Sequence, residues 1–145
     1  WLVHPAFVEQ DVLINVPVAK HHGLADLTLG MKNWLGAIAG NRNRLHQDLD
    51  RSVVDLGAFF RPKLTVIDGV RVLLRGGPQG GSLSDVRRLD TVIASVDPVA
   101  AEARGIMLHD RDPQSMRHVS LASSRGLGVS RWAPLEEKSI EVPAS

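Results

Sequence analysis

The chain holds 145 residues with a formal net charge of +1, of which 43% are hydrophobic and 23% charged. That is long enough to bury a core, too apolar for disorder, and too evenly charged for a strong pull toward nucleic acid or a membrane surface. There is no cysteine and only 4% of residues are aromatic, which excludes disulfides, thiolate nucleophiles and any Cys-ligated zinc or iron–sulfur cluster in this chain, and leaves few stacking platforms for single-stranded nucleic acid.

No run approaches the length of a membrane-spanning helix, so a soluble protein is expected, with the cytoplasm as default compartment. The first residues lack a signal-like basic and apolar pattern. The sequence starts without Met and heads at once into strand-like residues, so it reads as a fragment of a longer protein forming one α/β domain over 1–145.

In chain order, Asp11 to Val16 has the β-branched apolar character of a strand that Pro17 ends. Lys20, His21, His22 and Gly23 follow as a polar turn. Leu24 to Ile38 is expected as a helix, because Leu24, Leu27, Met31, Trp34, Leu35 and Ile38 recur at helical spacing. Asn41 to His46 is a basic loop, and Gln47 to Phe60 a second amphipathic helix stopped by Pro62. Leu64 to Ile67 reads as a buried strand ending at Asp68-Gly69, with a short apolar stretch from Val70 to Leu74. Arg75 to Ser84 is a Gly-rich loop. Thr91 to Val96 is another strand, after which Asp97-Pro98 opens a helix to about Leu108, Asp as N-cap and Pro at the first position. Asp112-Pro113 repeats the device and starts a helix to about Ser124. Lys138 to Val142 is a candidate edge strand. Strands alternate with helices, which predicts an α/β fold with a mixed or mostly parallel sheet flanked by helices.

Several constellations bear on chemistry. A strand–turn–helix at Lys20 to Leu24 would bring a Lys, a His and the positive end of a helix together, which suits a carboxylate or phosphate; a solvated turn is the plain alternative. Thr28, Lys32 and Asn33 lie along a face that could reach the same ligand, or Lys32 could simply lie over the core. His46 with His21 or His22 and a carboxylate such as Asp68 or Asp97 could form a divalent-metal site. No compact metal motif supports it, and three distant segments would have to converge. Asp97 also has a structural role as N-cap, and Asp68-Gly69 is a common turn pair. Gly76, Gly77, Gly80 and Gly81 could cradle a ligand with backbone N–H groups, but the loop is neither a Walker A loop nor a GxGxxG element. No GxSxG elbow supports a serine hydrolase, and His109 and His118 are expected as surface or packing residues.

The ordered runs DVLINVPVAKHHG, LTLGMKNWLGAIAG, His46, TVIDG, GGPQGG and ASVDPVAAE resemble the family catalogued as domain of unknown function 362, over roughly Asp11 to Gly128. The resemblance implies an α/β domain without a settled activity and an association with iron–sulfur chemistry carried elsewhere, in a redox partner or another module. It singles out Lys20, His22, Thr28, Lys32, Asn33, His46, Asp68 and Asp97 as matching the family pattern. Glu102 departs from it, standing where relatives often carry Asp.

Two readings result. In the first, the domain binds a small anionic ligand, with a metal in some versions, in a redox-linked enzyme. Lys20 and Lys32 neutralise the anion, His22 and Lys32 are the catalytic candidates, and Thr28, Asn33, Gly77 and Gly80 are the other ligand contacts. His46, Asp68 and Asp97 are the metal candidates. In the second, the domain is a non-enzymatic docking module for an iron–sulfur redox partner, through an apolar patch around Trp1, Trp34 or Trp132. Nucleic-acid binding through Arg42, Arg44, Arg87 and Arg88 is not expected, given the balanced charge.

Overall fold

A computed structural model describes residues 1–131 and 137–143; Trp132 lies outside the described residues. Its centre is a mixed sheet built around one long strand, β6 (Leu64–Leu73). Two short strands, β2 (Ile14–Asn15) and β3 (Val18–His22), pair with β6 in parallel, and β7 (Val86–Ser95) pairs with it antiparallel. β4 (Asp26–Thr28) closes the other side as an antiparallel partner of β3. A separate ribbon joins β1 (Leu2–Val3) to β5 (Ile38–Ala39). The mixed α/β architecture is therefore the expected one.

The layering explains which residues are apolar. α3 (Pro98–Met107) packs on β6 and β7. The single-turn α1 (Gly30–Asn33) sits on β6 against α3 and α2 (Leu49–Phe60), and α4 (Arg117–Ser124) covers α2 and α3. The face beneath them carries Ile67, Ala19 and Val72, all fully buried. The opposite face carries Ile14, Val18, Val66, Val92 and Ala94 by register, and Ile14, Val18 and Val92 are 54%, 46% and 61% exposed. Among the described residues, no helix covers that face.

α3 begins as its sequence dictates. The Asp97 carboxylate accepts the N–H groups of Val99 and Ala100 through one oxygen, and that of Val129 through the other. Pro98 fills the first helical turn, where a missing N–H costs nothing. The second Asp-Pro pair acts more locally. Asp112 caps a 3-10 turn over Pro113–Ser115, and α4 starts only at Arg117.

The largest departure from expectation is at Leu24 to Ile38. No long helix forms there. Lys20, His21 and His22 belong to β3 instead of a turn, and the chain reverses at once into β4 before α1, a 3-10 segment (Trp34–Ala37) and β5. Asp26 adopts a left-handed φ of 65°, and Leu24, the first residue of the supposed stripe, is 80% exposed. Leu27, Met31, Trp34, Leu35 and Ile38 are all buried, so the apolar spacing is met by a strand followed by a short irregular helix.

Pro17 likewise fails to end strand pairing. It has no N–H to give, but its carbonyl accepts the N–H of Asp68, and β2 and β3 run along β6 as one bent edge. The stretches expected as Leu64 to Ile67 and Val70 to Leu74 are the single strand β6, with an irregularity at Gly69. A Cβ on Gly69 would come within 2.6 Å of Leu108 and 3.0 Å of the Thr91 carbonyl oxygen, so this close approach requires glycine. β7 begins at Val86, five residues earlier than expected. Arg42–Asp48 is a 3-10 segment, and residues 138–142 form no strand.

Candidate functional site

The β3–β4 hairpin gathers the basic residues that the sequence singles out. Lys20 stands opposite Thr28 across the hairpin, and His22 opposite Asp26. The Lys32 ammonium, on α1 just beyond β4, donates to Thr28 Oγ1 at 3.4 Å. His46, from the 3-10 segment, stacks on His22 with ring centroids 6.3 Å apart and an interplanar angle of 24°. Lys20, His22, Thr28, Lys32 and His46 thus form one neighbourhood.

Its electrostatics are one-sided. Burial, then the charge of Lys20, pushes the Lys32 ammonium down to about 8. Burial also lowers His22, helped by Lys32, His46, His21 and Lys20. Among the described residues no ion pair joins Lys20 or Lys32 to a carboxylate.

The His22 ring is fixed by its own turn. Nδ1 accepts the N–H groups of Leu24 and Ala25, each at 3.2 Å. A neutral imidazole that accepts at Nδ1 carries its proton on Nε2, so His22 presents a donor there and not a metal-binding lone pair. His21 accepts the Gly77 N–H at Nδ1 in the same way.

The backbone under Lys32 is held by buried polar side chains, Asn15, which the sequence reading left out, and Glu102, which it noted only as a departure from the family pattern. Asn15, 2% exposed, donates to the Gly30 carbonyl at 2.7 Å and accepts from the Asn33 amide at 2.8 Å. Glu102, also 2% exposed, accepts the Met31 N–H at 2.9 Å through Oε2, while Oε1 meets His118 Nε2 at 3.1 Å. His118 in turn faces Asp50, 3.7 Å away. Burial opposes the protonated His118, but Glu102 and then Asp50 outweigh it and raise its pKa. Both residues left a signal in the sequence. Asn15 interrupts an apolar strand, and Glu102 falls in the buried stripe of α3 with Val99, Ala103 and Ile106.

Other expectations fare differently. Asn33 spends its amide on Asn15. Gly77 spends its N–H on His21, its carbonyl accepts from Gly23, and a side chain there would run into the His21 carbonyl oxygen. A Cβ on Gly80 would lie 2.8 Å from the Gly76 carbonyl oxygen. The Gly-rich loop is thus folded on itself and latched to the hairpin, and the Gly77 N–H is not available to a ligand. The metal set does not assemble either. His46 stacks on His22, Asp68 lies within β6 and accepts the Val70 N–H at the strand irregularity, and Asp97 is committed to three backbone N–H groups. Among the described residues, no three His, Asp or Glu side chains are placed to hold a metal ion.

A groove of about 540 Å³ lies elsewhere, between Trp1, Ile38, Arg44, Leu56 and Phe59. It does not include Lys20, His22 or Lys32, so volume and charge do not coincide, and the convergent donors define the candidate site. Trp34 is buried and stacked on Phe60 at 4.5 Å, which removes it from any surface patch; Trp1 is 65% exposed. Arg87 and Arg88 are paired with Asp110 and Asp90.

Comparison with known proteins bears out the family resemblance. The family model described as Domain of unknown function (DUF362) matches residues 1–107. The chain belongs to that family, and the match takes in the hairpin, α1, the Gly-rich loop and α3. A Thylakoid-associated protein from Synechocystis sp. is similar to it, 26% identical over an alignment 134 positions long that covers 87% of this chain and 40% of that protein. The chain therefore spans 40% of the length of the curated relative it matches. No solved structure matches it. No helix among the described residues is long and apolar enough to cross a membrane.

Proposed function

We propose that this domain binds a small anionic ligand at the β3–β4 hairpin. Lys20 and Lys32 supply charge, the His22 Nε2–H supplies a directed donor, and His46 backs the His22 ring. The observation that carries the reading is the partly buried Lys32 ammonium. It sits on Thr28 Oγ1 beside a second ammonium, and among the described residues no carboxylate balances either charge. Burying a cation next to a like charge costs stability, and an incoming anion repays that cost.

The sign of the effect can be measured. The Lys32 pKa falls from 10.5 unfolded to about 8 folded. The unfolded chain thus holds the proton more tightly, and stability is lost as pH falls through that window, fully so by neutral pH. Lys32→Met is therefore expected to stabilise the protein by about 1 kcal/mol at neutral pH, after discounting for solvent screening. The same change is expected to weaken binding of inorganic phosphate or a small carboxylate by roughly 10- to 100-fold, the loss of one charged hydrogen bond. Urea unfolding and titration calorimetry read the two effects. A destabilised variant with unaltered anion affinity would remove Lys32 from the site.

A further inference from the structure

We propose that Lys32 forms an imine with its ligand, and that the ligand is a small 2-oxo acid whose carboxylate meets Lys20 and His22 while its carbonyl carbon meets the Lys32 amine. This rests on the anion-binding reading above and gives it a substrate class and a covalent step.

Three observations lead here. First, Lys32 is held as a nucleophile must be. Its neighbours Gly30, Met31 and Asn33 are each tied by a buried side chain, Asn15 or Glu102, so the backbone that carries the amine is fixed. Second, the amine lies partly buried beside another ammonium, the environment that leaves a share of a lysine unprotonated near neutral pH. The exposed Lys63 and Lys138 lack this setting. Third, the neighbouring donors are of the right kind. Lys20 stands opposite Thr28, on which Lys32 rests, and His22 is two residues along the same strand with its proton fixed on Nε2. Because Lys32 rests on Thr28, the partner of Lys20 across the hairpin, an anionic group held by Lys20 and His22 has the Lys32 amine as its neighbour, and an imine there needs a carbonyl next to that group.

The step balances without an oxidant or a reductant. The free amine adds to the carbonyl carbon, forming C–N as the C=O π pair moves to oxygen and takes a proton. The carbinolamine then expels that oxygen as water and leaves a C=N bond. Overall, one ammonium and one ketone give one iminium and one water. The protons that leave with the oxygen are those the Lys32 nitrogen gives up, carried by solvent, while the neutral His22 ring keeps its Nε2 proton and holds the carboxylate.

The test is reductive trapping of the whole chain with pyruvate and borohydride, read by intact mass and peptide mapping. The expected result is a single carboxyethyl adduct on Lys32, with Lys63 and Lys138 unmodified. Excess lactate, which has the carboxylate but no ketone, is expected to suppress it. Lys32→Arg keeps the charge but has no nucleophilic amine, and is expected to abolish the adduct. No adduct, or adducts spread evenly over the lysines, would overturn the proposal. Equal trapping with methyl pyruvate, the same ketone without the charge, would overturn the oxo-acid assignment. If lactate binds by calorimetry but pyruvate leaves no adduct, the imine falls and the anion site stands; if neither binds, both fall.

Discussion

Glu102→Ala is expected to cost the fold about 3–5 kcal/mol, the penalty of breaking a buried charged network by removing one partner. Glu102 is 2% exposed and lies in the middle of a chain of contacts. One oxygen accepts the Met31 N–H that opens α1, and the other meets His118, whose far nitrogen faces Asp50. Alanine leaves a buried N–H and a buried imidazole without their acceptor and opens a void between α1 and α3. Glu102→Gln keeps an acceptor of the same length and is expected to lose roughly half as much or less. Urea unfolding of the two variants separates packing from charge. An alanine variant within about 1 kcal/mol of wild type would show that the network carries little of the stability. The same variant is expected to weaken anion binding, because Lys32 follows directly on the residue that Glu102 holds.

The second large effect is acid sensitivity centred on His109. This side chain is 8% exposed, and among the described residues its Nε2 has no hydrogen-bond partner. Burial, then the charges of Arg111, Arg87 and His21, pushes it from 6.5 down to about 4. Above 6.5 both states hold the ring neutral. Below it the unfolded chain takes up a proton that the folded chain refuses until about 4. Stability is therefore expected to fall by about 2–3 kcal/mol over that window from this residue alone. His118 acts in the opposite sense. Its pKa is raised, so its contribution is present below 6.5 and lost as pH rises through the folded value. Urea midpoints measured from about pH 7.5 to about pH 4.5 should show a shallower acid limb for His109→Gln than for wild type. Parallel profiles would mean that His109 is protonated as readily in the fold as outside it.

Much of this architecture is legible in the sequence. Asp97-Pro98 announced α3, the stripe of Val53, Leu56 and Phe60 announced α2, and the sheet class followed from alternating elements. Lys20, His22, Thr28 and Lys32 lie near one another, but not by the route the sequence suggests. They were expected on a turn and a long helix, and they meet across a hairpin. The error has a physical source. Leu27, Met31, Trp34, Leu35 and Ile38 satisfy helical spacing, yet Asp26 and Gly30 interrupt its first half, and the hairpin wins because β3 gains β6 as a partner. Periodicity also says nothing about contacts between distant segments. Glu102 reaches Met31 across 71 positions, and neither its place in an apolar stripe nor its departure from the family pattern pointed to that partner.

The bare face of the sheet has a thermodynamic consequence. Ile14, Val18 and Val92 are exposed in the folded chain, so unfolding brings little new apolar surface into contact with water there. The heat-capacity rise of unfolding scales with newly hydrated apolar area, and so does the denaturant slope. Both should fall below the values usual for a domain of this length whose sheet is sheltered on two sides. The free-energy dome against temperature is then broader and flatter, and both cooling and heating take less from the fold per degree.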